Sequence, residues 1–360
     1  MTFLDDPTHP PARVIELADP DIGLDAVIVI DHDLFPKSAG GTRMVADVTV
    51  EEVARLARAM TWKFAVAGVP YAGAKAGLRF RGGDRERVLS AYVERVGELR
   101  DFFLTGPDMG TDPADFLAFA SAGGAPPMWA RSHEGMGMDD LAVGHGILGA
   151  AKVALERLGR PLRGSTVAIE GFGKAGAGTA RAFARAGSKV VAVSTIEGAL
   201  VDGEGLDADR LVALRDEHGD RLVHQAGPAV RPREELFAVE CDVLVPGARP
   251  DVITRESAGS LRCAAVVPIA NIPYAEGSLE ALHARGILAL PDFVTNAGGV
   301  HLYEAPECSG GAPATCLAAI ERLIGETTER VLDAAERESV TPTHAALEIA
   351  RAFLRAAAAS

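Results

Sequence analysis

"STVAIEGFGKAGAGTARAFARAGSKVVAVS", residues 165–194, decides the fold of half the chain. It reads as strand "TVAI", a glycine turn, helix "AGTARAFARAG" and a second strand, the order of a βαβ unit. Gly171, Gly173 and Gly176 fall in GxGxxG spacing between the first strand and the helix. Alone that spacing is weak. In this context the first glycine makes a tight turn, the second lets a pyrophosphate approach the backbone, and the third lets helix pack on strand. Dinucleotide binding is therefore favoured over a purely structural glycine turn. Such a unit also predicts an acid about 20 positions on, at the end of the second strand, to hold the adenosine ribose. Here "VVAVSTIEG" ends in the uncharged Ser194 and Thr195, with Glu197 beyond. A neutral strand end does not repel a 2′-phosphate, and Glu197 can either reach the ribose or lie in solvent. NAD and NADP both stay open.

Outward from this unit, "CDVLVPGA", "CAAVVPIAN" and "GILALPDFV" are continuous apolar runs that alternate with helical patterns. They predict a parallel sheet covered on both faces. Upstream, "VGHGILGAAKVALERLG" reads as a helix, and residues 121–139, rich in Gly, Pro and Met without a period, read as a domain boundary. Before it, "DAVIVIDHD" is a strand and "VTVEEVARLARAMTWKFAVAG" a helix opened by a capping box, Thr49 with Glu52. A glycine-containing loop carrying Lys75 follows, then a short strand, the helix "RERVLSAYVERVGEL", and "DFFLTGPDMGTD" as a strand running into a turn. A helical tail begins at about residue 313. The 360 residues suffice for two domains.

The formal charge of −14 and isoelectric point near 5.1 argue against nucleic acid or an anionic membrane surface as partner, leaving small molecules or proteins. Cys241, Cys263, Cys308 and Cys316 form no CxxC pair and no His-linked zinc spacing. Neither a disulfide framework nor a metal site is expected, and a reducing cytoplasm fits. No signal peptide opens the chain and no apolar run is long enough to span a bilayer, so a soluble, cytoplasmic protein is expected. His145 in "VGHG" has no second ligand at helical spacing and suits a structural or cofactor-proximal role. The stretch "HEGMGMDD", with His133, reads most simply as a flexible linker.

The lysines are informative because they are scarce: only six of the 36 basic residues are Lys. Two of them, Lys63 and Lys75, sit in "AMTWKFAVAGVPYAGAKAG", residues 59–77, among small and apolar residues. Lysines there can snorkel to a surface. Alternatively those positions need an amine, which, unlike a guanidinium, can release its proton when desolvated.

Six motifs choose between these readings: "GGTRM" at 40–44, "MTWK" ending at Lys63, "AGAK" ending at Lys75, "PDMGT" at 107–111, "GFGKAG", and "NAGGV" at 296–300. In this order the chain, over roughly residues 25–305, resembles the amino-acid dehydrogenases that include the glutamate, leucine, phenylalanine and valine enzymes. The resemblance implies an α/β protein of two domains with a cleft between them. An N-terminal α/β substrate and oligomerisation domain would span 1–135 plus about 330–360, and a doubly wound, Rossmann-type dinucleotide-binding domain 136–329. It further implies that Lys63 binds the substrate α-carboxylate, that Lys75 is the catalytic amine, and that Asp108 shuttles protons to and from the substrate nitrogen. Ala39, Gly40, Gly41, Asn296 and Val300 would border the substrate. Gly171, Gly173, Lys174, Gly176, Ser194, Thr195, Asn271 and Asn296 would border NAD or NADP. A homo-oligomer is implied.

The chemistry needs these residue types. Removing hydride from Cα of an amino acid leaves an iminium that water must attack, giving a 2-oxo acid and ammonia. A point charge holds the carboxylate. A second, desolvated amine activates the water, an aspartate relays the remaining proton, and closure of the cleft excludes bulk solvent. Glutamate enzymes carry a further Lys just before "GG-R", where this chain has Ala39. An unpaired γ-carboxylate in an apolar pocket costs several kcal/mol, so a nonpolar L-amino acid is expected, with Lys37 and Arg43 the only nearby compensating cations. Ala72, Val143 and Pro268-Ile269 also depart from the family pattern, which leaves two alternatives: a biosynthetic dehydrogenase with an unusual substrate, or a noncatalytic nucleotide-binding member.

Overall fold

The computed structural model describes residues 9–119 and 126–359, so the expected boundary segment lies partly outside the described residues. Two compact units divide the chain, Met1–Ala130 with Leu347–Ser360, and Arg131–Ala346. The helix Pro313–Glu338 lies wholly in the second unit, and the chain re-enters the first at Leu347.

In the first unit, β1 (Arg13–Asp19), β2 (Leu24–Ile30), β3 (Ser38–Ala39), β4 (Thr42–Val45), α1 (Val50–Val66), β5 (Ala72–Arg79), α2 (Arg85–Gly97) and β6 (Phe103–Leu104) follow in order. The mixed sheet runs β1-β2-β5-β3-β6, with β4 also paired to β5. β2 is antiparallel to both β1 and β5, while β3 and β4 run parallel to β5. The unbroken apolar reading of "DAVIVI" has a physical reason: both faces are covered. Ile28 and Ile30 pack with Leu78, Tyr92 and Phe103 on one side, Val27 and Val29 with Val53 and Ala57 of α1 on the other. β1, whose sequence lacks a continuous apolar run, is a half-exposed edge strand.

The second unit opens with a hairpin, β7 (Ser132–His133) and β8 (Met136–Gly137), where a flexible linker was expected; Met136 and the following Met138 are buried and anchor it. Then come α3 (Met138–Arg157), β9 (Thr166–Glu170), α4 (Lys174–Arg185), β10 (Lys189–Thr195), β11 (Gly198–Val201), α5 (Ala208–His218), β12 (Cys241–Pro246), α6 (Arg255–Ala258), β13 (Cys263–Val266), α7 (Ser278–Ala284), β14 (Leu288–Ala289), α8 (Asp292–Thr295), α9 (Gly298–Glu304) and α10 (Pro313–Glu338); the last helix, α11 (Pro342–Ala358), starts in this unit and from Leu347 belongs to the first. The sheet order is β11-β10-β9-β12-β13-β14, parallel except for β11, which folds back on β10. The three apolar runs after the βαβ unit are thus strands of one sheet. The order in which strands are added reverses at β9, with β10 on one side and β12 on the other, making the crevice beyond the carboxyl ends of the parallel β9 and β12 the topological switch point. Cys308 and Cys316 form a disulfide, against the sequence expectation. The chain reverses between α9 and α10, bringing two cysteines eight apart to a Cα–Cα distance of 4.6 Å, which no spacing rule signals. Among the described residues no helix is long and apolar enough to cross a membrane.

Candidate functional site

Lys75 lies inside β5, not in a loop. The strand is built of small residues because backbone presses on it from two directions. A Cβ on Gly73 would lie 2.2 Å from Ala57 O and Thr61 N of α1, and one on Gly40 1.6 Å from Ala74 O. Gly41 leaves the same kind of space for the loop after β6: a Cβ there would meet Pro107 O at 2.7 Å and Asp108 Cβ at 3.1 Å. The glycines of "GGTRM" and "AGAK" therefore let three backbone segments close around Lys75, which is 6% exposed.

The result is a charge cluster drawn from four segments. Lys75 Nζ donates to Asp108 Oδ2 at 2.9 Å, and Arg43 Nε reaches the same oxygen at 3.3 Å. Arg43 also donates through its NH1 to Glu52 Oε1 at 2.5 Å. The expected capping box is accordingly half present: Thr49 Oγ1 accepts from Glu52 N, but the Glu52 carboxylate serves Arg43. Asp108 N donates to Thr111 Oγ1, which donates to Thr42 O, each at 2.9 Å, fixing the "PDMGT" turn. Burial by itself would raise the Asp108 pKa. The adjacent Lys75 and Arg43 cations and the Met109 N–H outweigh it and bring the value down to about 2, so this carboxyl is ionised at neutral pH.

Lys63, 8% exposed, lies in the last turn of α1. Its helix is locked by a group the sequence reading overlooked. Asp31 at the end of β2 is buried, accepting from Thr61 Oγ1 at 2.6 Å and from Arg58 Nε at 2.6 and 2.8 Å. Thr61 is the threonine of "MTWK", so the motif couples the register of the helix to that of Lys63. Ala39 is half-buried on β3 and Lys37 is exposed.

In the second unit, Gly171 turns with φ +87° against Gly247 and Ala248, and a Cβ on Gly176 would meet Gly171 O at 2.0 Å. Around a Cβ on Gly173 nothing lies within 4 Å, so this position is open. Ser194 Oγ accepts from Gly171 N at 3.3 Å and its carbonyl from Phe172 N at 2.7 Å, tying the glycine turn to the end of β10. Glu170, also unforeseen, accepts from Gly247 N and Ala248 N at 3.0 and 2.9 Å and spans the switch point. Lys174 is exposed at the start of α4 and Thr195 is buried. Asn296 Nδ2 donates to Ile269 O at 2.9 Å and Asn271 Oδ1 at 3.0 Å. Its own Oδ1 is buried and accepts no hydrogen bond among the described residues, a cost in the ligand-free chain that an incoming N–H or O–H would remove. Val300 is buried on α9, and His145 Nδ1 lies 3.4 Å from Glu321 Oε2, the structural alternative expected for it. An open backbone cradle and an acceptor in need of a donor fit a nicotinamide dinucleotide.

The sequence matches the family model described as Glutamate/Leucine/Phenylalanine/Valine dehydrogenase over residues 135–357, and that of the Glu/Leu/Phe/Val dehydrogenase dimerisation domain over residues 11–122. The glutamate dehydrogenase of Aeropyrum pernix is 32% identical over 281 residues, covering 72% of this chain and 66% of that protein. That of Thermotoga maritima is 34% identical over 288 residues, covering 72% and 67%. The chain thus spans about two thirds of the length of these relatives. Among solved structures, the hetero-hexameric glutamate dehydrogenase from Thermus thermophilus, in its Leu-bound form, superposes with a TM-score of 0.84 at 27% identity, covering 96% of this chain and 89% of that one. L-tryptophan dehydrogenase from Nostoc punctiforme shares the fold, with a TM-score of 0.67, 22% identity and 97% of each chain covered.

Proposed function

The chain belongs to the Glu/Leu/Phe/Val dehydrogenase family, and on that premise we propose that it oxidises a nonpolar L-amino acid to the 2-oxo acid and ammonia with NAD or NADP, and runs the reverse reductive amination. The observation that carries the reading is the 2.9 Å pairing of Lys75 with Asp108 inside a closely packed, largely desolvated strand. Lys63 holds the substrate α-carboxylate. Asp108 is already a carboxylate before substrate arrives, with a pKa near 2, so it enters the oxidative direction as the base for the substrate nitrogen. Lys75, hydrogen-bonded to it, guides the water that attacks the iminium carbon and stabilises charge on the resulting oxygen. A nicotinamide held by the Asn271–Asn296 pair would supply the acceptor for the hydride on Cα. Gly171, Gly173, Lys174 and Gly176 would hold the pyrophosphate, Ser194 and Thr195 would border the adenosine end, and the Asn271–Asn296 pair the nicotinamide end. Gly40 and Gly41 shape the wall beside Lys75, and Val300 adds an apolar surface.

Support for a nonpolar side chain comes from where the cations go. Ala39 offers no amine, Lys37 is exposed, and Arg43 is engaged by Glu52 and Asp108. A substrate γ-carboxylate would have to break that arrangement to find a partner. The names of the two relatives favour glutamate as the second reading. A panel of L-amino acids with each dinucleotide decides: turnover of leucine, valine or phenylalanine with little on glutamate is expected, and the reverse order sinks the nonpolar assignment. Ala39→Lys is expected to raise the glutamate-to-leucine ratio in kcat/KM by roughly tenfold or more. The match to the dimerisation domain supports assembly as a homo-oligomer.

A further inference from the structure

The unanswered question in the dinucleotide site is which adenosine it takes, and its geometry lies entirely within the second unit. The strand that should end in a ribose-binding acid ends in Ser194 and Thr195, 3% and 6% exposed. Neither hydroxyl is idle. Ser194 Oγ accepts from the glycine turn, and Thr195 Oγ1 donates to Asp220 O at 2.8 Å, drawing the residues after α5 onto the strand end. Glu197, an acid that could replace the missing one, follows in the β10–β11 turn. Its backbone N–H donates to Thr195 Oγ1 at 3.1 Å, and its Oε2 lies 3.6 Å from His224 Nε2. Both side chains are nearly half-exposed, and the gap is too long for a hydrogen bond.

The cation at this end is Arg215. From the last turn of α5 its NH1 donates to Gly173 O at 3.2 Å, and its side chain is only 18% exposed. Gly173 is the open position of the glycine loop, so the guanidinium lies against the carbonyl face of the loop that receives the pyrophosphate. Asp216 shares Arg215 through Nε and NH2, at 3.2 and 2.8 Å, and is itself 55% exposed, so that pairing is weakened by solvent. We infer that Arg215 is a specificity-determining residue that binds the 2′-phosphate of the adenosine ribose, and that this chain prefers NADP(H) to NAD(H). This rests on the proposed dinucleotide-dependent activity. A guanidinium beside the glycine loop offers charge-assisted hydrogen bonds to a 2′-phosphate, whereas the last two residues of the strand, Ser194 and Thr195, offer a 2′-hydroxyl only neutral groups.

The test is calorimetric titration of the full chain with NADP+, NAD+, 2′,5′-ADP and 5′-AMP. NADP+ is expected to bind roughly tenfold or more tighter than NAD+, and 2′,5′-ADP to exceed 5′-AMP by a similar factor. Arg215→Gln should erase both differences while NAD+ affinity stays within about twofold, and Arg215→Lys, which keeps the charge, should retain part of them. Equal affinities in the unaltered chain, or a preference that survives Arg215→Gln, overturn the inference and leave the dinucleotide reading standing. A selective loss of NAD+ affinity in Glu197→Gln also overturns it, because Glu197 would then be the ribose acceptor. If none of the four ligands binds, the dinucleotide reading itself falls.

Discussion

The two units use glycine for opposite ends. In the first, Gly40, Gly41 and Gly73 are filled by neighbouring backbone, and their purpose is to let β3, α1 and the Asp108 turn close on β5 around Lys75. In the second, Gly173 faces open space, and the loop presents backbone rather than side chains. One site is made of charges brought together by packing, the other of peptide groups left uncovered. A charge site of this kind depends on several distant segments being right at once, while a peptide site depends on a single strand–turn–helix.

The largest effect separating them is chemical. Lys75→Ala removes the amine and leaves the glycine loop intact, so turnover, followed by formation of reduced nicotinamide, should fall by roughly 10³-fold or more. Affinity for the dinucleotide by titration should not change. A variant that kept even a tenth of the turnover would remove Lys75 from the catalytic role.

The glycines give the next contrast. Gly73→Ala must push α1 from β5, because the new methyl would sit 2.2 Å from Ala57 O and Thr61 N. Overpacking against backbone of this kind costs about 1–3 kcal/mol, read as a lower denaturation midpoint. Gly173→Ala meets nothing within 4 Å, and its φ of −81° suits an L residue. Its melting should stay near that of the unaltered chain while dinucleotide affinity drops about tenfold or more. Equal stability losses in the two variants would erase the distinction drawn here.

That distinction also governs how much could be read from the sequence. The glycine loop was legible because every element it needs lies within residues 165–194, with strand and helix periods on either side. The apolar strands β12 to β14 were legible because each is a continuous local run of apolar residues. The charge cluster was not, since Arg43, Glu52, Lys75 and Asp108 are scattered over 65 positions; lysine scarcity pointed to Lys75, and only the family resemblance added Asp108 to it. Lys75 read as a loop because "AGAKAG" lacks the β-branched residues of ordinary strands. The strand uses small residues because backbone packs against it. Glu52 read as a capping partner because spacing reports what a side chain can reach locally, not that Arg43 competes for it. Asp31 and Glu170 gave no signal at all, each being a single acid whose partners are distant in sequence.

The smallest effect tests the electrostatics of the cluster without any substrate. The Asp108 pKa lies below its ordinary value of 3.8, at about 2 in the folded chain. Between those values the unfolded chain binds the proton that the folded chain refuses, so the carboxylate contributes stability above about pH 4 that disappears as pH falls towards 2. With the side chain 21% exposed, that contribution is about 1–2 kcal/mol. Urea unfolding of the unaltered chain and of Asp108→Asn at descending pH isolates it, because all other carboxylates titrate in both. The stability gap between the two should be widest near neutral pH and narrow by about that amount through the acid range. A gap that stays constant, or widens as the pH falls, would mean that Lys75 and Arg43 do not hold Asp108 ionised, and the aspartate could no longer be the base that waits for the substrate.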